Sequence, residues 1–168
     1  YIEPIDAHYL KCLDRHKDNN VTVANVAVGL EEGETTIYYG DTLTTLDPAQ
    51  MQRYREIDWA QHIRFSETTC DQMRLDTLME KIEVPKSFDV LVVDVEGKEP
   101  EVFETFELDE WKPKMLIVEL EDEHHSFQKY EGHIDEIKKL REYIGSKGYV
   151  EIFKDYINTV FVREEFKK

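Results

Sequence analysis

The residues best suited to chemistry lie in one stretch, residues 88–99, read FDVLVVDVEGKE. Asp94 and Glu96 stand two apart at the point where an apolar run gives way to polar residues. Two carboxylates this close repel each other, which raises the proton affinity of one of them and suits it to act as a general base. The partner is then free to bind a further hydroxyl. The same pair can hold Mg²⁺, a hard cation that takes oxygen ligands and acidifies a bound hydroxyl. A third reading is structural: Asp94 caps a helix that starts near Lys98, although one helix needs only one cap.

The elements around this pair must place it. Val90, Leu91, Val92 and Val93 form a β-branched run, which predicts a central strand buried on both faces. If the backbone stays extended past Val93, a period of two aims Asp94 and Glu96 to one side. Gly97 permits a tight turn, and Pro100 suits the first turn of a helix over residues 100–106. Residues 114–120 (KMLIVEL) repeat the design: an apolar strand, adjacent to the first, followed by Glu119, Glu121, Asp122, Glu123, His124 and His125. Ligands of open parallel sheets bind beyond the carboxyl ends of the strands, where these acids fall. The paired histidines read either as part of such a site or as an exposed acidic loop.

Elsewhere the pattern predicts the end of a strand at residues 1–4 and a helix from Pro4, with Ile5, Tyr9, Leu10 and Leu13 at helical spacing. Strands follow over 21–28 and 35–39, joined as a hairpin through Gly29 and Gly33. Residues 41–67 are the least regular part and predict a lid or a disordered loop around a short helix at 48–55. An outer strand over 68–75 precedes a helix at 77–82 capped by Asp76. A helix over 134–145 carries Ile134, Ile137, Leu140 and Ile144, with Arg141 beside them. Strands at 149–153 and 158–162 close the chain as an antiparallel pair. Strands alternating with helices indicate an α/β fold, a three-layer sandwich around a mostly parallel sheet.

Composition bounds the function. The 168 residues fit one domain, spanning 1–168, and a hydrophobic fraction of 40% is globular rather than disordered. The formal charge of −16 opposes binding to nucleic acid or to an anionic membrane. No apolar stretch reaches the roughly 20 residues a membrane helix needs. Cys12 and Cys70 read as free thiols of a reducing compartment, and with no signal peptide the expected location is cytoplasmic.

Several blocks, in order along nearly the whole chain, resemble the FkbM family of S-adenosylmethionine-dependent O-methyltransferases. They are YIEP at 1–4, NVAVG at 25–29, RLDTLMEKI at 74–82, VVDVEGKEPEVF at 92–103, LIVEL at 116–120 and NTVFV at 158–162. The DVEG block is the most specific. Two departures stand out: Val92 replaces the family's usual Lys, and no glycine-rich loop follows a first strand. The resemblance therefore implies a Rossmann-like class I methyltransferase whose first strand and glycine-rich loop lie upstream of Tyr1, the chain continuing covalently into a longer protein.

It further implies S-adenosylmethionine as cofactor and a small-molecule acceptor, carbohydrate foremost. Asp94 and Glu96 become the catalytic pair. Glu3, ending a strand, accepts the ribose hydroxyls; Asn25 and Ala27 flank the adenine. Each of these three also reads as an ordinary strand-end or loop residue. No dedicated metal ligands are expected, although Mg²⁺ at the acidic pair is an option. Tyr54, Trp59 and Tyr130 offer aromatic faces to a sugar or pack internally. The competing functions are a metal-dependent hydrolase using Asp94 and Glu96, and a non-catalytic module that has lost cofactor binding.

Overall fold

The computed structural model describes residues 1–167. In chain order the elements are α1 (Asp6–His16), β1 (Ala27–Val28), β2 (Gly33–Tyr39), α2 (Pro48–Arg55), β3 (Ser66–Met73), α3 (Leu75–Lys81), β4 (Val90–Val93), α4 (Glu99–Glu104), α5 (Leu108–Trp111), β5 (Met115–Glu119), α6 (Glu131–Ser146), β6 (Tyr149–Lys154) and β7 (Asn158–Arg163). The mixed α/β class expected from the pattern holds. Among the described residues no helix is long and apolar enough to cross a membrane.

The strands form two sheets, one ordered β1-β3-β2 and the other β4-β5-β7-β6. Among these strands β1 pairs parallel with β3 and β4 with β5; the other three strand pairings are antiparallel. The terminal β6–β7 hairpin and the adjacency of β4 and β5 are as the sequence predicts.

Three expectations about the strands fail. The hairpin foreseen between residues 21–28 and 35–39 does not form: β2 pairs antiparallel with β3 along its whole length, and β1 pairs parallel with β3 on the other side. Turn residues at Gly29 and Gly33 permit a reversal, but β3 offers β2 a seven-residue register that the two residues of β1 cannot. For the same reason β3 is the middle strand of its sheet rather than an outer one. Third, β4 lies at the edge of its sheet, with Val90 44% and Val92 62% exposed, so it is not buried on both faces.

The main core lies beneath β5. Leu116 and Val118 share it with Phe103, Phe106, Trp111 and, from α6, Ile137, Leu140 and Ile144. With Ile134, which joins the second core, these make the buried face of α6 at the predicted three-and-four spacing, while Arg141 turns to Asp122 and Glu151. By contrast α1 buries no residue, although Leu10 and Leu13 sit at core spacing; both are exposed. Residues 41–67 are not a disordered loop: they carry α2, and Asp41, Thr42, Thr44 and Leu46 border a cleft. Tyr54, Ile57 and Ala60 pack against Phe127 and Ile134 in a second core. The helix predicted at 48–55 is present, capped by Asp47, whose carboxylate accepts from Ala49 and Gln50 N–H.

Candidate active site

The site begins with strand register. β4 and β5 run parallel with Val93 opposite Val118, so the next residues, Asp94 and Glu119, emerge side by side at the carboxyl ends. The chain does not stay extended after Val93. Glu96 and Gly97 both take left-handed backbone conformations, with φ of 54° and 98°. The turn, not a strand period, brings the two predicted acids together: one oxygen each from Asp94, Glu96 and Glu119 lie within 4.8 Å of one another.

Local bonds hold this turn. The Glu99 carboxylate accepts from Val95 N–H at 3.0 Å and from Gly97 N–H at 3.1 Å. Thr45 Oγ1 donates to the Glu96 carbonyl at 2.7 Å. Gly97 is required twice over, because its φ disfavours a side chain and a Cβ there would stand 3.0 Å from the Gln50 side chain. The N-cap position of α4 is Lys98, with no side-chain cap, so Asp94 is not its cap. Asp76 likewise does not cap α3. That position is Arg74, whose guanidinium Asp76 binds through both oxygens.

Asp94 and Glu96 line a cleft of about 840 Å³ that also contains Glu3, Pro4, Ala27 and Val102. Its volume falls within the range of small-molecule and cofactor sites. Ile2 bridges Ala24 in parallel, which places Glu3 at a short strand end as predicted. One Glu3 oxygen accepts from Ile5 N–H at 2.8 Å. Ala27 is buried in the wall. Asn25 is not brought in: its amide donates to Asp6 Oδ1 at 2.7 Å, and it lines a separate, smaller cleft. His124 and His125 stack on each other at 4.7 Å outside the carboxylate group, beside Trp59.

The family model for the methyltransferase FkbM domain matches residues 1–151. The chain belongs to the FkbM methyltransferase family. Comparison with curated proteins and with solved structures returned no significant match. Family membership favours methyl transfer over the hydrolase alternative.

Behind the carboxylates the FkbM domain has a polar layer that sequence reasoning missed. Tyr54, 1% exposed, donates its phenol proton to Glu96. It is a core residue rather than a sugar platform, flanked by Phe65 and Phe127. Tyr130 is tied to Glu56 at 2.9 Å, and Trp59 donates to Ser126. The fully buried Gln50 donates to Glu121 at 3.1 Å, and His133 bonds the same Glu121 oxygen at 3.1 Å. The available signal was the spacing of Tyr54, Ile57 and Ala60, which marks a buried face in a stretch that looked patternless.

Burial dominates the electrostatics. It pushes the Glu99 carboxyl up to about 7, against the pull of its backbone hydrogen bonds. Burial also raises Glu96, opposed by the Tyr54 hydrogen bond and reinforced by Asp94, Glu121 and Glu99. Glu119 is driven well above the ordinary carboxylate range by burial, then by repulsion from Glu96, Glu99 and Asp94. Burial likewise raises Tyr54, which keeps it a phenol and a donor. The arrangement is a small acidic chamber in which protons are held unusually tightly.

Proposed function

We propose that the chain is an S-adenosylmethionine-dependent O-methyltransferase acting on a hydroxyl of a sugar or other small molecule. The observation that carries this reading is the convergence of Asp94 and Glu96 on the wall of the cleft, with the proton affinity of Glu96 raised. A hydroxyl must lose its proton as its oxygen gains a methyl group. A carboxylate whose proton affinity has been lifted toward neutrality suits that task. Glu96 takes the proton at its free oxygen, while Tyr54 holds the other oxygen and fixes the orientation. Asp94, exposed and rigidly placed at a strand end, binds a neighbouring hydroxyl of the acceptor.

Adenosylmethionine, when bound, supplies the electrophilic methyl group. The cleft fits it: one Glu3 oxygen remains available for ribose hydroxyls, and Ala27 leaves a flat apolar wall for a base. Asn25 enters the reading only by holding α1 through Asp6. A Rossmann-like three-layer arrangement belongs to the same proposal, supported by the family model and by the parallel β4–β5 pair ending in acids. A cytoplasmic setting is supported by the free thiols Cys12 and Cys70.

Two measurements test the proposal. Calorimetric titration with adenosylmethionine should give one site, and Glu3→Ala should weaken it by roughly 1.5–3 kcal/mol, the scale of a hydrogen bond to a charged group. Mass spectrometry of a sugar panel incubated with cofactor should then find an acceptor that gains one methyl group. No binding of adenosylmethionine, or binding untouched by Glu3→Ala, overturns the assignment of this cleft.

A further inference from the structure

We propose that Asp94, Glu96 and Glu119 form a binding site for one hard divalent cation, of the Mg²⁺ or Ca²⁺ type. Each contributes one carboxylate oxygen, and the three lie within 4.8 Å of one another. Oxygen shells around Ca²⁺ have a radius of about 2.4 Å, and around Mg²⁺ about 2.1 Å, so a single ion between them reaches all three with little adjustment. The donor set is all oxygen, which suits these ions and not softer metals.

Clustered acids alone would not carry this. The decisive feature is Glu119, 9% exposed, whose Oε2 is buried with no hydrogen-bond partner. A buried polar oxygen left unpaired is costly, and native structures avoid it. A proton neutralises Glu119 alone, whereas a cation at this point also draws on the Asp94 and Glu96 oxygens that converge with it. Nor is a basic side chain at hand: Lys98 is engaged by Glu101, His133 by Glu121, and Arg141 by Asp122 and Glu151. A cation supplies what the oxygen lacks and neutralises the repulsion among three converging acids.

The site is built on rigid elements. Asp94 and Glu119 sit at the ends of paired strands, and Glu96 is fixed at both its carbonyl and one carboxylate oxygen by Thr45 and Tyr54. Asp94 is exposed, so the site opens to solvent and an ion can enter with part of its water shell. Binding of the cation stands apart from the methyl-transfer reading; only its use there, polarising an acceptor hydroxyl, rests on that reading.

The test is calorimetric titration of the chelator-stripped chain with Mg²⁺, Mn²⁺ and Ca²⁺, at fixed ionic strength and without adenosylmethionine. One ion per chain is expected. Asp94→Asn and Glu119→Gln should each weaken it at least 10-fold, while Glu142→Gln, an exposed acid on α6, should leave it unchanged. Circular dichroism confirms that the variants are folded, and Asp94→Asn, at an exposed position, serves if Glu119→Gln does not fold. Absence of binding overturns the inference. So does weak, multiple binding that is equal in all variants and fades with salt, which would be the diffuse attraction of an acidic surface. No ion bound beside intact adenosylmethionine binding sinks this inference and spares the proposed function; one ion bound per chain with no adenosylmethionine binding spares the site and sinks the function.

Discussion

β4 and β5 are neighbours in one sheet and read alike, VLVV and MLIVE, yet their surroundings are opposite. β5 is central, and Leu116 and Val118 have no exposed surface. β4 is the edge, with two of its four side chains largely in solvent. Their ends differ in the same sense. Beyond β4 comes the exposed Asp94, while β5 ends in the buried Glu119. An apolar run thus reports the capacity to be buried, and the neighbours decide whether that capacity is used. The division of labour follows: β5 anchors the core, and β4 delivers a reactive turn to an open cleft.

The largest expected effect lies at the end of β4. Glu96→Gln and Asp94→Asn keep shape and remove charge, and each should lower methyl-transfer turnover by about 10²–10⁴-fold with the fold intact. Steady-state kinetics beside a thermal melt reads both quantities. Full activity in both variants would return the DVEG turn to a purely structural role.

Next comes the strand contrast itself. Leu116→Ala in β5 should cost about 2–5 kcal/mol by urea denaturation, the usual range for a leucine removed from a packed core. Val92→Thr in β4 should stay within about 0.5 kcal/mol, as exposed substitutions do. A large loss from Val92→Thr would mean that the β4 edge is covered in solution, and the comparison would break there.

The smallest effect is a slope. Glu99, held up to about 7, and Glu96 and Glu119, also raised, bind more protons folded than unfolded once pH passes the ordinary carboxylate range near 4.5. Their contribution to stability is therefore full below that range and is lost as pH rises through 7 and beyond. Each whole proton contributes about 1.4 kcal/mol per pH unit. Glu119→Gln removes one such group, so urea melts from pH 5 to 8 in chelator should show a shallower decline. An unchanged slope would mean that Glu119 does not hold the proton its burial implies.

Much of the fold was legible because its signals are local. The spacing of Ile134, Ile137, Leu140 and Ile144 identifies α6, Asp47-Pro48 starts α2, and apolar runs mark β4 and β5. Asp94, Glu96 and Glu3 were found as cleft residues because strand ends in acid and turn chemistry are written consecutively. Which strands pair is not written that way. The β2–β3 register joins Gly33 to Gln72 across the segment that carries α2, and no neighbouring residue encodes it.

The same divide runs through the site. The sequence alone determined that two acids follow a strand and that a glycine turns the chain after them. Only the tertiary structure decided that the turn is left-handed at Glu96, that Glu119 joins the pair from β5, and that Tyr54 and Gln50 close the chamber from behind. The reason is physical. Residue type and short-range sterics set local backbone preference. Proton affinity and ion binding depend on burial and on charges brought near by folding, and those are properties of packing.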